Sequence, residues 1–350
     1  MSGTRTISTT TPAISAGGTV RVFHWLWLGG LLLGSILVGL TVGRYDLAKW
    51  QIVTILFDAV RGVAQDSIEA LVVLNVRMPR ILMAGATGAG LAICGVALQA
   101  LFRNPLVSPK VLGLSSGAAL GGTLAILLGF SGALLMGATF LSAFGALFLV
   151  VLISNIAGRS LMTIVLAGIV IDALFAAGVS LVQYAADPET SLPAIVFWLM
   201  GSFAAASWDK LAQVAPALAI GILLLNRLRF RIAVLAMGDD EAQSFGINVA
   251  RSRMVIVMLI SVVIGAGVTA SGVVGWVGLV IPHIARMIVG ENHARLYPTC
   301  LLLGASFMIL TDTLARSLTS AEIPLGVLTA LIGAPIFVYL LCTRRGRDSR

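Results

Sequence analysis

The sequence predicts an all-α integral membrane protein with about ten transmembrane helices, each needing about 20 apolar residues to cross a bilayer. Three observations lead there. Hydrophobic residues make up 58% of the 350 positions and charged residues 11%, with a mean hydropathy of +1.02. A soluble domain carries about 25% charged residues, so lipid must solvate most of this chain. Apolar runs of bilayer length recur along it, separated by short polar connectors. Lysine and arginine also fall unequally on alternate sides of those runs.

The expected spans are 24–43, 80–102, 110–129, 133–155, 161–184, 208–226, 252–272, 276–290, 296–317 and 324–342. The eighth is short and contains Pro282 and His283. Broken spans survive in a membrane only where protein or water covers their backbone. With the N-terminus in the cytoplasm, sixteen Lys/Arg residues fall inside and seven outside. The positive-inside rule therefore predicts that both termini are cytoplasmic.

Residues 1–20 are rich in Ser, Thr and Gly and read as a disordered cytoplasmic tail. Residues 21–343 form one membrane domain, with a cytoplasmic segment at 228–250, and 344–350 form a basic cytoplasmic tail. Residues 44–79 read as an outside connector containing a short surface helix near Trp50–Ala59. Gly85, Gly88 and Gly90, and likewise Gly117, Gly121 and Gly122, put small residues on helix faces, where backbones can approach closely in lipid.

The net charge of +8 is dispersed beside apolar runs, which argues against a nucleic-acid partner. The chain has no phosphate-cradling G-x-x-x-x-G-K-[ST] loop, so any ATP-driven process needs a separate ATPase. Cys94, Cys300 and Cys342 are scattered through apolar runs and read as packing residues. No histidine or cysteine cluster suggests a metal site, and no nucleophile–base set suggests an enzyme. Asp172 and Asp312 are ionisable residues inside spans, which makes them candidates for function. Asp312 and Arg316 are four apart and can pair on one helix. Asp172 has no evident partner and either lines a path or bonds a neighbouring helix. Gln99 reads as an interhelical hydrogen-bond partner.

The motif-bearing stretches are Arg77-Met-Pro-Arg80, then Gln99 with Asn104-Pro105-Leu106, Pro109, Gly113 and Gly117. They continue with Trp198-Leu-Met-Gly201, Met237-Gly238 through Glu241-Ala242 to Gly246, and Gly275-Trp-Val-Gly278 with Pro282-His283 and Arg286. They end with Asp312 and Arg316, then Pro324-Leu-Gly326 with Gly333 and Pro335. This series resembles the FecCD/BtuC-like permeases of ABC importers, which carry iron chelates, haem and cobalamin. The resemblance covers roughly residues 24–342.

That resemblance implies a ten-span permease working as a homo- or heterodimer in the lipid of a bacterial or archaeal cytoplasmic membrane. Its partners would be two ATPase subunits, which use the ATP and Mg, and an extracytoplasmic substrate-binding protein; the permease itself would bind no cofactor. Arg77, Arg80 and Arg316 would dock acidic residues of the binding protein. Ala236, Met237, Gly238 and Gly246 would lie close against the ATPase, with Asp239, Asp240 and Glu241 at the polar rim of that contact. Asn104 and Leu106 would form the cytoplasmic gate. Met162 and Thr163 fall at or beside gate positions that bear hydroxyls in the cobalamin member, and with Asp172 they are candidate pathway residues. The implied cargo is a metal chelate, foremost a ferric siderophore, with haem or cobalamin as alternatives. An ion-coupled secondary transporter is the competing class, resting on Asp172 alone.

Overall fold

Every apolar run of bilayer length forms a helix. A computed structural model describes residues 16–63, 67–158 and 161–348. In chain order the helices are α1 (Ala16–Thr41), α2 (Lys49–Val60), α3 (Ile68–Leu71), α4 (Met78–Leu101), α5 (Leu114–Leu127), α6 (Gly132–Ile156), α7 (Leu161–Ala185) and α8 (Ser191–Met200). Then follow α9 (Trp208–Arg227), α10 (Arg229–Met237), α11 (Asp239–Ser244), α12 (Val249–Ser271), α13 (Val277–Val289), α14 (His293–Ser317) and α15 (Leu325–Asp348). No strand occurs among the described residues.

Seven helical stretches are long and apolar enough to cross a bilayer: α1, the continuous rod Ile68–Leu101, α6, α7, α9, α12 and α14. The other three expected spans are the shorter apolar helices Leu114–Leu127, Val277–Val289 and Leu325–Tyr339. Two of these are short because the backbone before them leaves the helical path inside the bundle. A 3-10 turn at Pro109–Leu112 precedes α5, and an irregular stretch from Gly272 to Trp276 precedes α13.

Several expected boundaries move. Helix α1 starts at Ala16, inside the expected tail; residues 1–15 lie outside the described residues. Helix α15 runs to Asp348, past the expected boundary at 343. The expected connector 44–79 contains α2, as anticipated, but it is helical again from Ile68. Pro79 therefore sits within a continuous rod. The π-helical stretch Val72–Arg77 precedes it, with Met78 N–H donating to Val73 O. The widened turn accommodates a residue with no N–H to donate.

The rod ending in α4 is the centre of the bundle: 83% of its apolar window is buried, against 17% for α7 at the periphery. Close packing depends on glycine at two crossings. A Cβ at Gly304 in α14 would lie 2.5 Å from Gly88 O in α4 and 2.6 Å from Ala92 Cβ. A Cβ at Gly278 would lie 2.9 Å from Leu91 O and 2.8 Å from Pro109 Cδ. The first turn of α13 and the turn before α5 thus both rest against α4. The irregular backbone is paired internally: Ser202 N–H donates to Ser271 O at 2.8 Å and Leu325 N–H to Gly201 O at 2.9 Å. Such pairing is what membrane depth demands of non-helical segments.

Candidate functional site at the two ends of the central helix

At the N-terminal end of α4, Arg80 makes a buried double ion pair. Its Nε and Nη2 donate to the carboxylate of Asp312 in α14 at 2.9 Å, and its Nη1 and Nη2 donate to Glu322 at 2.9 Å. Side-chain exposure is 8% for Arg80, 2% for Asp312 and 20% for Glu322. The fork of the guanidinium thus meets two carboxylates, a geometry that gives specificity as well as energy. Arg316 Nε lies 3.8 Å from Asp312 Oδ2, so the expected i,i+4 pair exists but is secondary to Arg80.

Arg77 and Arg316 have a different task. Arg77 Nη1 donates to Leu40 O and Thr41 O, and its Nη2 to Tyr45 O. Arg316 Nη2 donates to Gly39 O. Gly39, Leu40 and Thr41 are the last residues of α1, which has no basic residue in its own last turn. The terminal carbonyls of a helix are left without intrahelical partners and carry partial negative charge. Two arginines from other helices supply both the donors and the charge.

The three arginines expected to dock a binding protein are thus all engaged within the chain. Arg77 is 2% exposed, Arg80 6% and Arg316 7%, because helix capping and acid pairing occupy their guanidinium groups. Glu322 was not singled out in the sequence, since its partner lies 242 positions away. For the capping arginines a signal did exist: the uncapped apolar end of α1.

At the other end, α4 stops at Leu101, and Arg103 adopts a left-handed backbone with φ 49°. A side-chain-bearing residue held there costs about 1–3 kcal/mol and needs support from its surroundings. Asn104 follows, and its Oδ1 accepts from Leu106 N–H at 2.9 Å, closing an Asx turn before Pro105 can propagate helix. Leu106 is 55% exposed, and Asn104 is also exposed, so both expected gate residues project from the chain at one turn.

The segment 228–250 folds as α10 and α11 around Gly238, which is extended. Met237, Asp240, Glu241 and Gly246 are exposed, and Ala236 is half-buried. Asp239, partly exposed, carries an engagement that was not expected. Its Oδ1 accepts from Arg103 Nη2 at 2.8 Å and from Arg253 Nη2 at 2.6 Å. This acid is held by two cations of its own chain.

The candidate pathway residues do not converge. Met162 is exposed on α7, and Thr163 Oγ1 donates to Ala157 O at 3.5 Å. Asp172 accepts from Ser116 Oγ of α5, which supplies the partner that was not evident in sequence. Gln99 does bridge helices: its Nε2 donates to Gly278 O at 3.4 Å, and Arg286 Nη1 donates to its Oε1. Beside the Asn104 turn lies a cleft of about 660 Å³ that includes Gln99, Arg103, His283, Arg286 and His293 in its lining. Glu291 is its single acid, and it pairs with Arg286 at 3.1 Å. No group of three or more potential metal ligands occurs among the described residues.

An apolar helical bundle with irregular backbone at its centre and an exposed two-helix segment at one end belongs to the class of multi-span membrane proteins. The FecCD transport family model matches residues 31–343, and the chain belongs to that family of ABC importer permeases. The molybdate import system permease protein MolB of Haemophilus influenzae is 46% identical over 89% of this chain and 93% of its own length. The hemin transport system permease protein HmuU of Yersinia pestis is 37% identical over 91% and 97%. A solved chain described as an inward-facing conformation of a metal-chelate type ABC transporter has a TM-score of 0.84 at 43% identity, covering 92% of this chain and 99% of that one.

Proposed function

We propose that this permease imports a compact metal oxyanion of the molybdate class, driven by ATP hydrolysed on separate ATPase subunits. The observation that carries the cargo reading is the 46% identity to a molybdate permease, against 38% for an iron chelatin permease of Helicobacter pylori and 37% for the hemin permease. A ferric chelate is the second reading, favoured by the solved metal-chelate transporter chain.

In this reading Leu106 and Asn104 close the path at the cytoplasmic end. Met237, Asp240, Glu241 and Gly246 face the ATPase, and α7 and α15 offer exposed apolar residues to a second permease subunit and to lipid. A binding protein docks at the Arg80 end, where its acidic residue competes with the partly exposed Glu322 for the guanidinium. Alternating access follows when ATP-driven closure of the ATPase favours one state of the permease pair and hydrolysis with product release the other. The test of the drive is uptake into proteoliposomes holding permease, ATPase and binding protein. Vanadate abolishes uptake and an uncoupler does not; the reverse pattern would establish an ion-coupled carrier instead.

A further inference from the structure

The junction of α10 and α11 holds a charge node built from three residues of this chain. One oxygen, Asp239 Oδ1, accepts from Arg103 at 2.8 Å and from Arg253 at 2.6 Å. Arg103 also reaches Leu235 O in α10 at 3.4 Å. Among the described residues, Asp239 is the only acid within ion-pair distance of either arginine. Arg253 belongs to the base of α12, a largely buried helix, and its own side chain is 11% exposed. Arg103 stands immediately before Asn104 and carries the left-handed backbone on which the Asn104–Leu106 turn is built. A single carboxylate therefore ties the segment that faces the ATPase to the turn that carries Leu106 and to the foot of an inner helix.

We propose that Asp239 is a positioning residue that transmits displacement of the α10–α11 segment to the Asn104–Leu106 turn. This rests on the reading of the chain as an ATP-driven permease. Any shift of α11 must move the guanidinium of Arg103 or break its ion pair. Without that pair, the Arg103 side chain keeps only the weaker bond to Leu235 O, and its left-handed backbone relies on the bonds from Arg103 N–H to Ala100 O at 3.2 Å and Asn104 N–H to Gln99 O at 3.1 Å.

The test uses the complete complex of permease, ATPase and binding protein in proteoliposomes. Asp239→Asn keeps the size of the side chain and removes its charge. The complex should co-purify intact and hydrolyse ATP at a near-normal rate, while uptake per ATP falls about fivefold to tenfold. Asp239→Glu should recover part of the ratio. Arg103→Ala should lower the ratio similarly, and the double variant should be no worse than either single one, as expected for residues acting as a unit. An unchanged uptake per ATP in Asp239→Asn overturns the proposal. So does a fall in hydrolysis and co-purification that tracks uptake, which would return Asp239 to the ATPase contact. Wild-type complex that shows no ATP-dependent uptake refutes the permease reading itself, and this proposal with it.

Discussion

Arg80 and Asp312 lie 232 positions apart, yet they form a double hydrogen bond across the α4–α14 crossing with both side chains buried. The pair sits beside the end of α1 that Arg77 and Arg316 cap. One end of the permease is thereby held by three arginines and two acids, and its stability depends on each charge keeping its partner.

Removing Asp312 leaves Arg80 with Glu322 alone. Asp312→Ala should lower stability by about 1.5–3 kcal/mol, the loss of hydrogen bonds to a charged group whose second acid remains. Thermal unfolding of the detergent-solubilised protein measures this. A loss no larger than that from Glu322→Gln would show that the inner acid is not the principal partner.

Glu322 is the acid a docking partner can displace. Burial raises its carboxyl pKa, but the hydrogen bonds and charge of Arg80 prevail and hold it below the ordinary glutamate value of 4.5. Its folded-state pKa is depressed, so its stabilising contribution is complete above that ordinary value. The contribution disappears only as the pH falls through the depressed one. Glu322→Gln should tighten binding-protein association measurably at pH 7, and surface plasmon resonance on nanodisc-held permease reads this directly. Weaker association would mean that Glu322 belongs to the docking surface.

The glycine crossing makes a separate prediction. Gly304→Ala places a methyl against Gly88 O and Ala92 and should destabilise the bundle by about 1–3 kcal/mol through overpacking. Gly145→Ala in α6 meets nothing within 4 Å and should be neutral or slightly stabilising. Folded yield and unfolding midpoint distinguish the two.

The Asx turn can be tested through leak. Asn104→Ala removes the acceptor for Leu106 N–H, and Leu106→Ala removes the side chain proposed to seal the path. Each should raise passive efflux of trapped cargo from ATP-free proteoliposomes. Efflux equal to wild type in both variants would place the gate elsewhere.

Much of this was legible in the sequence and some was not, for identifiable reasons. Spans were visible because apolar runs of bilayer length have few other uses. The glycine clusters marked the α4–α14 and α5–α6 contacts because only small residues permit such approach. Pro109 marked one departure from a long regular span, whereas the other lies at Gly272–Trp276 and not at Pro282, which sits inside α13. What stayed hidden were long-range charge partners. Neither Arg80–Glu322 nor Arg103–Asp239 has a sequence spacing that a helix repeat could reveal. Asp239 could not be told from Asp240 and Glu241 in sequence, because three consecutive acids at a helix start look alike until one of them is seen to meet two arginines. The capping roles of Arg77 and Arg316 were hidden because their partners are backbone carbonyls, and the one sign of them is the last turn of α1, which has no basic residue of its own.

The most direct measurement is uptake of radiolabelled molybdate into proteoliposomes containing the permease with its ATPase and binding protein. The account predicts ATP-dependent accumulation that unlabelled tungstate competes away and a ferric siderophore does not. Accumulation of the labelled ferric chelate with no uptake of molybdate would contradict it.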